Sequence, residues 1–186
     1  MIRMFRTTLA VALMSVCAAP ALAQAAPQAV IVVVDMDRVI NNSAAGRIAQ
    51  GELKVKLDAI QARVASLRTQ FTNEEQALRN SRPAAAGPAV AAWEGKVRDL
   101  QTRRQTAEAD LQKRSQEFQA TRDSVAKQIN EAAQPILAAL MRERGANLVL
   151  PQAATLQSSG ALNITADAIS RLDRALPRVS TATPAK

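Results

Sequence analysis

A chain of 186 residues with 48% hydrophobic side chains but only 2% aromatics has too few large apolar groups to fill a thick globular core. Its net charge of +8 comes without a single histidine or tyrosine, and its one cysteine lies in a stretch expected to be removed, so the usual general bases and thiol nucleophiles are missing. These totals argue against a compact monomeric enzyme and for burial between subunits.

Residues 1–23 read as an export signal. Arg3 and Arg6 form a positive start, Leu9 to Ala19 an apolar core, and Ala21-Leu22-Ala23 a small-residue cleavage site before Gln24. The apolar run is shorter than the roughly 20 residues that span a bilayer. Cys17 lies inside it, after Val16, a poor neighbour for lipid attachment, and the mature chain has no cysteine for disulfides. Losing Arg3 and Arg6 lowers the positive excess by two, to near +6. That excess, interleaved along the chain, favours acidic partners and anionic membrane surfaces, although most single charges read as solvated helix faces.

Residues 24–29 form a loose leader. Val30-Ile31-Val32-Val33-Val34-Asp35 is a β-branched run, apolar on both faces, and reads as a strand buried on both sides. A helical turn over Met36 to Ile40 leads to Asn41-Asn42-Ser43, capping residues for a long helix over about Ala44 to Asn80.

Within that helix Leu53, Leu57, Ile60, Val64, Leu67, Phe71 and Leu78 recur at alternating spacings of four and three, broken where Glu74 takes a seam position. This is the heptad seam of a helix packed along a partner helix. The breaker Arg82-Pro83-Ala84-Ala85-Ala86-Gly87-Pro88 follows. The spacing then resumes at Trp93, Val97, Leu100, Arg104, Ala107, Leu111, Arg114, Phe118, Thr121 and Val125. Folding the chain back at the breaker sets Leu78 on Trp93, Phe71 on Leu100, Val64 on Ala107, Ile60 on Leu111 and Leu53 on Phe118. The expected arm, residues 46–125, is a long antiparallel helical hairpin about 45 Å or more in reach.

The second long helix should run from near Pro88 to about Arg144, ended by Gly145, with a kink or break near Glu131 imposed by Pro135. Asn147 to Leu150 reads as a second strand stopped by Pro151, and Ala153 to Gln157 as a third. Thr165 should cap a last helix over about Ala166 to Leu176, with Asp167 in its first turn. Residues 177–186, small and polar, read as a disordered tail. The fold class expected is α+β: a small, discontinuous β-rich body from residues 30–45 and 126–176, with the hairpin inserted. So thin a body should bury Ile31, Val33, Leu148, Leu150 and Ile164 against copies of itself.

Three stretches resemble one family, the OmpH/Skp periplasmic chaperones: residues 30–46 with the opening Val30-Ile31-Val32-Val33-Val34-Asp35, then Ala146-Asn147-Leu148-Val149-Leu150, then Asn163-Ile164-Thr165-Ala166-Asp167-Ala168-Ile169-Ser170-Arg171-Leu172. The resemblance covers residues 30–176 in order. It implies a homotrimer with a β-rich trimerisation body, whose coiled-coil arms enclose unfolded outer-membrane β-barrel proteins in the periplasm without ATP or other cofactor. Asn163 stands where the family has Asp, and Pro135 interrupts the second long helix. The family's proposed basic cluster for lipopolysaccharide has no residue-by-residue match here.

Other chemistry is weakly supplied. Asp35 and Asp37, two carboxylates without a companion ligand, read as a strand end and a helix cap before a metal site. Glu74-Glu75 reads as a solvated helix face, and Trp93 as packing for Leu78. The scarcity of aromatics for base stacking and the interleaved acids argue against nucleic acid. Two readings remain: a holding chaperone for outer-membrane proteins, and a structural coiled-coil spacer or partner-binding adaptor. A spacer would want a tight seam and an anchor, and this chain has neither.

Overall fold

The computed structural model describes residues 28–84 and 86–184; the export signal and most of the leader lie outside the described residues. Strand β1 (Ile31–Val34) is followed by helix α1 (Met36–Asn42), then by the two long helices α2 (Ala44–Asn80) and α3 (Pro88–Glu143). Strand β2 (Leu148–Pro151) and helix α4 (Thr165–Ala175) close the chain.

The strands are parallel, with Ile31 beside Leu148 and Val34 beside Pro151. Parallel neighbours cannot be joined by a tight turn and need a crossover. Here the crossover is the whole of α1, α2 and α3. The two strands of the sheet therefore lie on either side of a long helical insertion. Asn147 fixes the start of the pairing: its Oδ1 accepts from the Val30 amide at 2.9 Å, and its Nδ2 donates to the Gln28 carbonyl at 2.9 Å.

The expected third strand over Ala153 to Gln157 does not form. Residues Gln152–Ala154 make a 3₁₀ turn, and only a bridge from Val33 to Asn163 adds to the sheet. Pro151 ends the ladder without an amide to donate, and Thr155 turns back to bond the Gln152 carbonyl through both its amide and its hydroxyl. The body is therefore a two-stranded sheet backed by helices, less β-rich than expected.

Its core lies on one face of that sheet. Val32 and Val34 point toward α1, α3 and α4, where Val39, Ile129, Ala133, Leu140, Ile164 and Leu172 are buried with them. The strand alternation sends Ile31, Leu148 and Leu150 to the opposite face.

The junction of α1 and α2 is close-packed. Ser43 is buried; its hydroxyl accepts from the Gly46 amide and donates to the Ile40 carbonyl. A Cβ on Gly46 would come within 1.7 Å of the Ile40 oxygen, so only glycine fits. Asp35, at the strand end, is itself the cap of α1, accepting from the Arg38 amide at 2.9 Å, and Asp37 lies in the first turn of the helix. Asp173 of α4 accepts from the Ala44 amide at 2.7 Å, tying the start of the arm to the last helix.

Helix α3 continues through Pro135 without a break. Pro135 and Glu131 are both exposed, so water can reach the carbonyl that loses its partner. On the opposite side Ala133, Leu137 and Leu140 are buried and hold the helix to the body. The helix ends as expected at Gly145, whose φ of +61° is the left-handed geometry of a helix stop.

Thr165 is not the cap of α4. It is the helix's first residue, and its hydroxyl accepts from the Asp35 amide at 2.9 Å across the body. Asn163 supplies the local acceptor, taking the Thr165 amide at 2.9 Å. Asn163 thus provides the same acceptor oxygen that an Asp would. Two ion pairs, Arg144 with Asp167 and Arg171 with Glu143, tie α4 to the end of α3.

The tail differs most from expectation. Val179 is buried in the core, and its neighbours bond to α2 and α3. One apolar side chain in a polar tail is enough to dock it when its flanking backbone groups also find partners.

Candidate functional site

The longest elements are α2 and α3, whose ends at Asn80 and Pro88 are close in sequence. At 1.5 Å per residue their 37 and 56 residues extend about 55 and 84 Å. They run antiparallel, side by side. At the tip the Trp93 indole donates to the Leu78 carbonyl at 2.8 Å, with the Arg82 guanidinium 5.6 Å from the indole centroid. Val64 and Leu67 face Ala107 and Leu111 around one shared hollow, and Leu53 faces Phe118 around another.

This seam is only half closed. Of the expected set, Leu67 and Leu100 are buried; Leu53, Ile60, Phe71, Leu78, Trp93, Val97, Leu111 and Phe118 are partly covered. Leu57 and Val64 keep 38% and 44% of their surface open. A fully paired seam would bury all of them. What remains is a shallow, discontinuous apolar groove.

Where the apolar pattern fails, charge crosses the gap. Glu74, which interrupts the seam of α2, pairs with Arg103 of α3 at 2.5 Å. Glu75 pairs with Arg104 at 2.6 Å. The Arg104 guanidinium also stands 5.7 Å from the Phe71 ring centroid, shielding an aromatic face that a leucine would have buried. The hydrogen bond from Arg103 holds the Glu74 carboxyl below its ordinary range, and that from Arg104 does the same for Glu75. Their guanidinium partners are exposed, so these rungs align the helices without adding much stability. Of the other interruptions, Arg114 turns along its own helix to Asp110 at 2.8 Å, and Thr121 bonds back to the Glu117 carbonyl at 2.7 Å.

At the arm base a hollow of about 530 Å³ opens between α1, α2 and α3. Leu53, Leu57, Phe118 and Val125 make its apolar wall, and Lys54, Arg122 and Asp37 lie at its edge. Beside it, the tail is clasped. Gln128 accepts from the Ser180 amide and donates to the Ser180 carbonyl, both at 3.0 Å. Lys56 donates to the Thr181 carbonyl at 2.6 Å. Glu52 accepts from Arg178 and from the Thr181 hydroxyl, and its carboxyl is held below the ordinary range, chiefly by the Thr181 bond. The sequence gives no strong signal for this clasp beyond Val179 itself, because Gln128 reads as one more polar interruption.

The residues expected at a subunit interface divide into two groups. Val33 and Ile164 are already covered within one chain, 1% and 0% exposed, so they belong to the chain's own interior. Locally, Asn163 bridges Val33 and the Ile164 amide donates to the Val33 carbonyl, so the segment before α4 runs along the free edge of β1 beside it. Leu148 remains 43% exposed, with Ile31 and Leu150 partly covered beside it. Those three form the sheet's open apolar strip.

Among the described residues no helix is long and apolar enough to cross a membrane. The family model for outer membrane protein (OmpH-like) matches residues 30–172. A crystal structure of an OmpH-like protein from Caulobacter crescentus CB15, described as a candidate outer membrane chaperone, superposes with a TM-score of 0.73. At 18% identity the match covers 98% of this chain and 97% of that one, and so shows a shared fold. No curated protein matches the chain. With its strand–hairpin–strand order and the family model spanning most of its length, the chain belongs to the OmpH-like outer membrane protein family.

Proposed function

We propose that this protein is a periplasmic holding chaperone, exported by residues 1–23, that binds unfolded outer-membrane β-barrel proteins and keeps them from aggregating without ATP. The observation that carries the reading is the half-closed seam. Along the arm, apolar side chains such as Leu57 and Val64 stay open in a shallow groove edged by alternating charges. Many weak contacts of this kind suit clients of varied sequence, and they release without an energy source.

The assembly proposed is a homotrimer closed through the strip of Ile31, Leu148 and Leu150, with the arms framing a client space. The positive excess left after export, near +6, supports attraction to acidic segments and to anionic membrane surfaces, lipopolysaccharide included, weakening as salt rises.

The test is dilution of a urea-unfolded outer-membrane barrel protein into buffer containing this protein and no nucleotide, followed by light scattering. Suppression of scattering at near-stoichiometric trimer supports holding. Scattering as high as that of the client alone overturns it. The ion-pair rungs at Glu74–Arg103 and Glu75–Arg104 favour a second reading, a spacer whose arms set a distance between folded envelope partners. The same assay separates the two, since a spacer leaves the scattering unchanged.

A further inference from the structure

Residues 178–181 cross the arm base without helix or strand structure, yet they are held by α2 and α3 together. The contacts divide by what they recognise. Gln128 makes two bonds to the Ser180 backbone and Lys56 one to the Thr181 backbone, and any non-proline peptide offers the same groups. Glu52 reads side chains, taking Arg178 and the Thr181 hydroxyl. Val179 is the single apolar anchor, 6% exposed. Beyond the anchored stretch the cleft continues up the arm as a hollow of about 220 Å³, with Ala59, Ile60 and Phe118 in its lining and Thr183 at its edge. A backbone clasp, one apolar anchor and unfilled room further along are the parts of a site for a peptide segment.

We propose that this cleft is a peptide-docking groove, and that the chain's own residues 178–181 are its resting occupant, exchanged for a client segment that carries a β-branched residue followed by hydroxyl residues. The exchange rests on the holding reading above; the groove itself does not. The backbone-directed bonds can be remade by an incoming non-proline segment, and a tethered competitor lowers the apparent affinity of every such segment by the fraction of time it occupies the groove.

The experiment uses the full chain and a fluorescent peptide of residues 176–184 as probe. Val179→Ser loosens the resident segment and leaves the groove walls intact. Ser180→Pro, at an exposed position, removes the amide that Gln128 accepts without touching the core, so it serves if Val179→Ser fails to fold. Either variant should bind the probe about tenfold tighter than the native chain. Adding Gln128→Ala should cancel the gain, and a urea-unfolded barrel protein should displace the probe.

Equal probe affinity for native and loosened chains would overturn the groove. Probe binding that an unfolded client cannot displace would overturn the exchange. A client held in the scattering assay while the probe binds no variant would leave the holding reading standing and the groove refuted.

Discussion

Arg104 reaches across the arm to Glu75 at 2.6 Å from a position on α3 that the heptad spacing assigns to an apolar side chain, and its guanidinium lies 5.7 Å from the Phe71 ring centroid. A charged residue thus occupies the seam and covers an aromatic without burying it. The arm is aligned there but not sealed.

Arg104→Leu should seal it. A leucine would pack on Phe71 and Leu67 and release Glu75 to its neighbour Arg79. The expected result is slower amide exchange through residues 67–107 and weaker suppression of client aggregation, because a closed seam offers less open apolar surface. Faster exchange in this region would mean that the ion pair, not the missing packing, sets the arm's order.

The acidic groups of the arm predict its pH response. Glu74 and Glu75 have folded values below their ordinary 4.5, and Arg114 lowers Asp110 in the same way. A carboxyl lowered in the folded state stabilises it fully above the unfolded value, and that stabilisation disappears as pH falls through the lowered one. All three are only partly covered, so salt should weaken the effect. Melting followed by circular dichroism should therefore be flat through neutral pH and fall below 4.5, with a smaller fall at high salt. A transition near neutral pH would contradict this assignment.

The open and covered halves of the sheet should respond differently to substitution. Leu148→Asp with Leu150→Asp should dissociate the proposed trimer and leave a helical monomer, because Leu148 already meets water in the single chain. Ile164→Ala removes a fully buried side chain and should cost about 2–5 kcal/mol of folding stability. Unchanged solution mass for the double variant would remove the strip from the interface.

Gly46 should tolerate nothing larger. Gly46→Ala places a methyl 1.7 Å from the Ile40 carbonyl oxygen, a backbone atom that can move only if α1 swings away from α2. The urea midpoint should fall sharply, with loss of the Ser43 hydroxyl bonds that join the two helices. A midpoint equal to that of the native chain would show the junction to be looser than its geometry.

The long elements were legible because their signals repeat. Seven apolar positions from Leu53 to Leu78 and the breaker at Pro83 to Pro88 define α2 and the start of α3, and the pairing of Leu78 with Trp93 follows from folding the chain back. Single-residue effects were not. Pro135 ordinarily ends a helix, but here its ring faces solvent while Ala133 and Leu137 hold the same turn in the core. Thr165 has the composition of a cap, yet a strand end 130 residues away claims its hydroxyl. The body strip was legible by alternation only in part: the pattern marks Ile31, Val33, Leu148 and Leu150 alike, and the segment before α4 then runs along the edge of β1 beside Val33. The tail looked featureless because its partners, Gln128 and Glu52, lie 52 and 126 residues away.

The most direct test of the account is the solution mass of residues 24–186, alone and after a urea-unfolded outer-membrane barrel protein is diluted into it without nucleotide. The expected result is a trimer that becomes a soluble trimer–client complex. A client that precipitates while this protein keeps its own mass would contradict the holding function and leave the arms as structural spacers.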